Sequence, residues 1–322
     1  MPVLLCAEDG DGQALAVAAE LDARDQPHVW FDTAWFPQRA ELCATLRPDQ
    51  DGAAGWGGTL ATPRGVLDLA RITAVYYQQS QPFRLPATLS RPEQRFATTE
   101  ARFGIGGLLM SLPVRWISHP GRAADAEYKP LQLAVAARCG LPVPDTLITS
   151  SPAAAKEFAA TRPAVYKALM HKLVAEAGEH ARLIYTTPVA AAALDDRVRW
   201  APHLFQHNID KVRDVRLTAT AGGHTLAVAI TTDDPDARQD FRARYDALSY
   251  HPESVPSRVR DGCLSYLHAL HLGMGVFDFA VDADGVWWFL ECGPAARWGW
   301  LQDQTGAPIA GAIAETLTMD LR

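Results

Sequence analysis

The sequence predicts a mixed α/β and α+β fold, and three observations carry that expectation. Short apolar runs alternate with a helical pattern up to about residue 118, the mark of parallel strands joined by helices. "HLFQHNIDKVRDVRLTATAGGHTLAVAITT" reads as a strand followed by a hairpin around Gly222-Gly223. "GVFDFAVDADGVWWFLECG", residues 275–293, reads as a second hairpin.

Taken in order, "PVLLCA" is a strand, "GQALAVAAELDARD" a helix, and "HVWFDT" and "ITAVYYQQ" two further strands, giving a small parallel α/β unit. "EDGDG", residues 8–12, lacks the remaining EF-hand spacing and reads as a turn. "RFGIGGLLM" does not follow a strand, so its glycines make a poor dinucleotide fingerprint, and they suit a helix–helix contact instead. A helix then runs to Gly140, a C-cap, and Pro142 and Pro144 lead into the strand "DTLITS". "PAAAKEFAA" is a short helix, and "PAVYKALM" and "ARLIYTTPV" are strands. The polar "HKLVAEAGEH" between those two strands suits a cover over a ligand. "SRVRDGCLSYLHALHLGM" is a helix before the last hairpin, and "APIAGAIAETLTMDL" an amphipathic helix after it.

The 322 residues are enough for one large or two to three small domains. A net charge of −7 argues against a nucleic-acid surface, and no apolar run is long enough to span a bilayer. "MPVLLCAEDGDG" lacks the basic and long apolar segments of a signal peptide. Cys6, Cys43, Cys139, Cys263 and Cys292 are scattered and without CxxC spacing, which fits a reducing cytoplasm and no structural zinc.

The last hairpin carries the chemistry. A two-residue type I′ turn at Asp284-Gly285 places Ala283 opposite Val286, and the same register places Asp278 opposite Glu291. Phe277, Phe279, Val281, Val286, Trp288 and Leu290 then form the core face. Cys292 falls on that apolar side as a packed small residue. Two carboxylates about 5 Å apart repel by roughly 3 kcal/mol at an effective dielectric of about 20. A proton, a bridging Arg or Lys, or a divalent cation would relieve this, unless the hairpin is an edge whose acids face water. Oxygen-only ligands suit Mg²⁺ with nucleotide phosphates.

Four basic positions bear on the choice. Lys167 sits in the apolar strand "VYKAL", where a buried ammonium needs an anionic partner. Lys129 precedes a helix, Arg216 alternates with Val215 and Leu217, and Arg242 lies in "QDFRARY". With two metal-type acids they form the inventory that phosphoryl transfer requires. Walker A, HExxH and GxSxG motifs are missing.

The order of a lysine-led helix, a strand lysine, a "Q-x-x-I" linker, "DxR" and "FDF…FLE" resembles the ATP-grasp carboxylate–amine ligases. "SRPEQRFATTEARFGIGGLLMSLPVRWISHPGRAADAEYKPLQLAVAARCGLPVPDTLITS" looks like the ATP-grasp maturases of ribosomal peptides, the microviridin-type graspetide macrocyclases. "FLECGPAARWGWLQDQTGAPIAGAIAETL" is similar to their ending. The resemblance implies an ATP-grasp fold with an N-terminal Rossmann-like pre-ATP-grasp domain at 1–118, a central subdomain at 119–205 bearing lid and peptide-binding elements, and a C-terminal subdomain at 206–322 holding the metal site. It implies a ligase using ATP and Mg²⁺ that activates Asp or Glu side chains of a precursor peptide and closes ester or amide rings. A leader segment of that peptide would dock, and the enzyme would be a cytoplasmic homodimer.

Carried over by motif, Lys129 and Lys167 would contact the nucleotide, and His207 and Asn208 would form the adenine hinge. Asp214 would lie near the nucleotide with Arg216 as its partner, orienting the substrate carboxylate. Arg242 would approach the γ-phosphate, and Asp278 and Glu291 would bind Mg²⁺. Gly293 stands where the family has a third, Asn ligand, and Arg297 where Gln or Glu is usual. The hinge reads "QHNI" in place of a form like "QEYI", and "YYQQSQPF" replaces a pattern near "WYRRP". These departures keep open a ligase that joins an amino acid or small amine to a carboxylate, and an inactive peptide-binding relative.

Overall fold

The computed structural model describes the chain apart from residues 49–53, 79, 171–172, 175–181 and 320–322. Strands Val3–Ala7, His28–Phe31, Ala74–Gln78 and Arg115–Ile117 form a wholly parallel sheet, with the first and third at its centre. The central strands are continuous apolar runs, and Leu4, Leu5, Val75 and Tyr76 have no exposed surface, as a sheet covered on both faces requires. The Gly12–Asp22 helix begins where the Asp11 carboxylate accepts from the Ala14 N–H at 2.9 Å. It packs on the Ile309–Thr318 helix, so Val17 and Leu21 share one core with Ile309, Ile313 and Leu317.

A three-stranded antiparallel sheet, Glu41–Pro48, Ala54–Thr62 and Gly65–Asp68, was not expected from the sequence. Gly55, Gly57 and Gly58 in its middle strand dilute the alternation that marks a strand. Gly58 has φ +132, and a Cβ there would lie 2.0 Å from the Cys43 carbonyl oxygen, so the close approach itself demands glycine.

The Arg91–Met110 helix opens with a capping box between Ser90 and Glu93. It contains "RFGIGGLLM", whose Ile105, Leu108 and Leu109 join the core, but among the described residues its glycines make no close helix–helix contact. A Cβ built on Gly104, Gly106 or Gly107 meets nothing within 4 Å.

The central sheet is antiparallel, in the order Thr187–Val189, Ala164–Lys167, His203–His207, Thr146–Thr149. The strand His203–His207 crosses residue 205 and belongs wholly to this sheet. The cover assigned to "HKLVAEAGEH" lies outside the described residues, save that Leu173–Val174 pairs with Arg182–Leu183. A five-stranded sheet runs Ser249–Glu253, Thr225–Thr231, Lys211–Thr220, Met274–Asp282, Trp287–Gly293, antiparallel throughout. Its core face packs on helices Lys129–Arg138 and Ser257–Ala269. Tyr266 lies 5.2 Å from Phe277 and 5.7 Å from Phe289, ring pairs worth about 0.5–1.5 kcal/mol each beyond their buried area. Among the described residues, no helix is long and apolar enough to cross a membrane.

Candidate active site

The opposite face of the five-stranded sheet turns toward the central sheet, and between them lies a cavity of about 510 Å³. Lys129, Lys167, His207, Asn208, Asp214, Arg242, Asp278 and Glu291 all line it, so eight of the nine residues singled out in the sequence meet in one place. Arg216 is outside the lining and touches it through Asp278.

Asp278 stands directly opposite Glu291, by a different route from the one expected. The loop has three residues, not two. Asp282 donates its N–H to the Val286 carbonyl at 3.2 Å, and Gly285 alone takes a positive φ, +77. The register is therefore displaced by one, with Val281 opposite Trp287 and Phe279 opposite Phe289. An irregularity after Asp278 leaves Leu290 as the extra residue and restores the expected register at Glu291. The two shifts cancel for the acids but not for the apolar residues. Trp287 and Phe289 are buried in the core, whereas Val286, Trp288 and Leu290, assigned to it from the alternation, are half-buried, and Leu290 lines the cavity. Cys292 is in the core as expected, and burial pushes its thiol well above its ordinary pKa, away from nucleophilic chemistry.

The repulsion between the acids is met by cations on both sides. Arg216 lies opposite Asp278 on the neighbouring strand and donates Nε and Nη2 to its two oxygens, each at 2.7 Å. Lys129 donates to Glu291 from the first residue of its helix. The result is one row across three strands: cation, acid, acid, cation. Gln132, one turn further along that helix, fixes the last pair. Its Nε2 donates to the Cys292 carbonyl at 2.9 Å, and its Oε1 accepts from the Cys292 N–H at 3.1 Å.

Arg216 is thus the partner of Asp278 and not of Asp214. Asp214 instead accepts from Lys211, at 2.7 Å to both oxygens. Residues three apart on a regular strand face opposite ways, and a register shift between Lys211 and Arg213 brings these two together. Burial raises the Asp214 pKa, and Lys211 opposes it. Lys167, expected to need an anionic partner, donates to the neutral Oε1 of Gln206 at 2.8 Å. Burial brings its pKa down to about 8, with Glu291 pulling the other way. Arg242 is held by Asp240 through Nε at 2.8 Å, and Asp240 also accepts from the Thr186 N–H at 3.0 Å. Lys211, Gln206, Asp240 and Gln132 escaped the sequence reading. All four lay in stretches already quoted, Asp240 in the same "QDFRARY" as Arg242, but none was singled out as a residue.

At the hinge, the His207 and Asn208 N–H groups donate to Asp145 and Pro163 carbonyls at 2.9 and 2.8 Å. Pro163 has no N–H to return, so the Asn208 carbonyl receives no reciprocal bond from it. The His207 ring is engaged elsewhere, stacked on Phe158 at 4.2 Å.

The donor set fits a hard cation held together with phosphates: two facing carboxylates, with no group of three His, Cys, Asp or Glu among the described residues that would complete a shell alone. No side chain fits at Gly293, where a Cβ would lie 2.6 Å from that of Ala296.

A scan of protein-family models finds no match for the chain, and neither does a search of the curated proteins. Solved structures do match. Macrocyclase MdnC of Microcystis aeruginosa, bound with precursor peptide MdnA, is 26% identical over 98% of this chain and 99% of its own, with a TM-score of 0.80. A RiPP-associated ATP-grasp ligase of Chryseobacterium gregarium, in complex with ADP and a leader and core peptide, is 24% identical over 98% and 96%, with a TM-score of 0.86. ATP-grasp ligase PsnB, complexed with minimal precursor, Mg and ADP, is 24% identical over 98% and 96%, at 0.72. The fold is therefore settled: it is that of the ATP-grasp ligases. These structures are of macrocyclases and ligases crystallised with precursor peptides, the kind of relative that the sequence motifs led one to expect.

Proposed function

We propose that this chain is an ATP- and Mg²⁺-dependent macrocyclase of a ribosomal precursor peptide. An Asp or Glu side chain of the peptide attacks the γ-phosphorus of ATP, giving an acyl phosphate and ADP. A Ser or Thr hydroxyl or a Lys amine of the same peptide then attacks the acyl carbon, loses its proton and releases phosphate. One ester or amide forms, and the peptide is lighter by one water.

The observation that supports this best is the charged row of Arg216, Asp278, Glu291 and Lys129 beside the cavity. Lys129, Lys167 and Arg242 would hold phosphates, with Asp214 near the nucleotide and the backbone of His207 and Asn208 against the adenine. Asp278 and Glu291 would hold Mg²⁺, which supplies charge neutralisation at the phosphates. Arg216 would orient the peptide carboxylate. Fixed donors aimed at charge that develops during transfer are the largest catalytic term expected here. The division at residue 118, the docked leader and a cytoplasmic location belong to the same proposal, with the division expected at 205 moved past the end of its strand at His207, and the five free thiols suit that location.

Calorimetric titration with a non-hydrolysable ATP analogue is the test. Binding that requires Mg²⁺ is the expected result, and no binding with or without Mg²⁺ would remove the basis of the mechanism. Mass spectrometry of a cognate peptide then separates ring closure, which loses water, from conjugation, which adds a second molecule's mass.

A homodimer is also proposed, through the outer face of the Arg91–Met110 helix. Phe96 and Phe103 there are 69% and 72% exposed, and Met110 follows at the same spacing of seven. Such a stripe on a helix already buried on its other side suits a second helix, and the open glycines beside it admit close approach. Light scattering should give twice the chain mass for the parent and the single mass for Phe103→Asp. A monomeric parent would refute the dimer.

A further inference from the structure

Asp278 is not the only group that holds Arg216. The guanidinium carbon lies over the Phe241 ring, 5.5 Å from its centroid, and over the Trp300 ring, 5.8 Å from its centroid. The two rings come from distant elements, the short turn Phe241–Ala243 and the helix Gly299–Thr305. Trp300 is braced by Tyr250, edge-on at 5.2 Å. The start of its helix is tied to the first sheet's unit, because Gln13 Oε1 accepts from the N–H groups of Trp298 and Gly299 at 2.5 and 2.8 Å. Gln13 and Trp298 are both buried.

An arginine side chain has many rotamers, and one salt bridge restrains only its plane. Aromatic contact on the guanidinium adds a restraint out of that plane. We infer that Trp300, anchored by Gln13, is a positioning residue for Arg216. A chain of contacts then runs from the Gly12–Asp22 helix through Gln13, the Trp298–Trp300 segment and Arg216 to Asp278. The N-terminal unit thereby helps to set the angle from which a carboxylate substrate meets Arg216. The inference rests on the proposed role of Arg216.

The test is nuclear magnetic resonance of the arginine Nε–Hε groups in the full chain, with the Arg216 signal assigned by its loss in Arg216→Lys. In the parent this signal lies upfield, shielded by the two ring faces. Trp300→Leu removes the indole's share of that shift and speeds hydrogen exchange at Nε about 2- to 30-fold, the factor a cation–π contact supplies. Trp300→Phe retains most of both, a rescue by a second aromatic ring that a merely structural role would not show, and Gln13→Ala serves if the leucine variant does not fold. Gln13→Ala moves the same signal from the other end of the chain of contacts. An Arg216 signal indifferent to both Trp300→Leu and Gln13→Ala, or one without an upfield shift in the parent, overturns the inference. Titration of the same samples with Mg²⁺ and the ATP analogue judges the nucleotide reading separately, since its failure in the parent leaves the Arg216 signal unaffected.

Discussion

Asp278→Ala abolishes Mg²⁺-dependent binding of the ATP analogue and slows turnover by at least about 100-fold, the scale of losing one fixed electrostatic stabiliser. It also destabilises the fold, because Arg216 loses the acceptor for two 2.7 Å hydrogen bonds while its side chain stays largely buried, at 16% exposure. Breaking such a pair from one side costs about 3–5 kcal/mol, whereas replacing both partners with apolar groups is often neutral. Asp278→Ala/Arg216→Met should therefore regain most of the lost stability in urea unfolding without regaining nucleotide. That pattern separates the structural role of Asp278 from its proposed metal role. A single variant that binds the analogue as the parent does would end the assignment of Asp278 as a ligand.

Lys167→Met weakens analogue binding by about 10- to 100-fold, in keeping with roughly 1.5–3 kcal/mol for a hydrogen bond to a charged group. The pH dependence should change with it. The Lys167 pKa falls to about 8 in the folded chain, first because of burial, against an ordinary value of 10.5. Between those two values the unfolded chain binds more protons than the folded one, so this residue makes stability rise with pH. Below about pH 8 the cost of keeping the buried ammonium is fully present, and it is relieved as pH climbs toward 10.5. Nucleotide affinity runs the other way, since the charged amine attracts phosphate. Affinity should decline from pH 7 to pH 9 in the parent and stay flatter in Lys167→Met, while the variant melts higher at pH 7. Calorimetry and thermal melts at those pH values check both signs, and a parent whose affinity is flat across the range would show that Lys167 carries no proton-linked contact.

The parallel sheet, the order of elements and the facing acids were legible because they depend on patterns that survive small errors of register. Asp278 and Glu291 meet although the turn type was misjudged, since a three-residue loop and a bulge at Leu290 offset one another. The core face had no such compensation, and Trp287 and Phe289 took the places assigned to Trp288 and Leu290. Bulges also hid the Lys211–Asp214 pair, which strict alternation puts on opposite faces. Gln132 left no signal, because a buried amide that binds a strand edge looks like any polar residue of a helix. The glycines of "RFGIGGLLM" were placed on a helix correctly, but a Cβ built on any of the three meets nothing within 4 Å among the described residues.

The pairing of the Gly12–Asp22 helix with the Ile309–Thr318 helix has a bearing on how the chain is made. A ribosome releases the first of these helices long before the second has been synthesised. Until then Val17 and Leu21 lack the Ile313 and Leu317 side of their core. The N-terminal unit thus cannot reach its final stability before the Ile309–Thr318 helix is made, and its completion waits on contacts of large sequence separation, the slowest kind to form. The interval before the Ile309–Thr318 helix is made is when chaperones have most to protect.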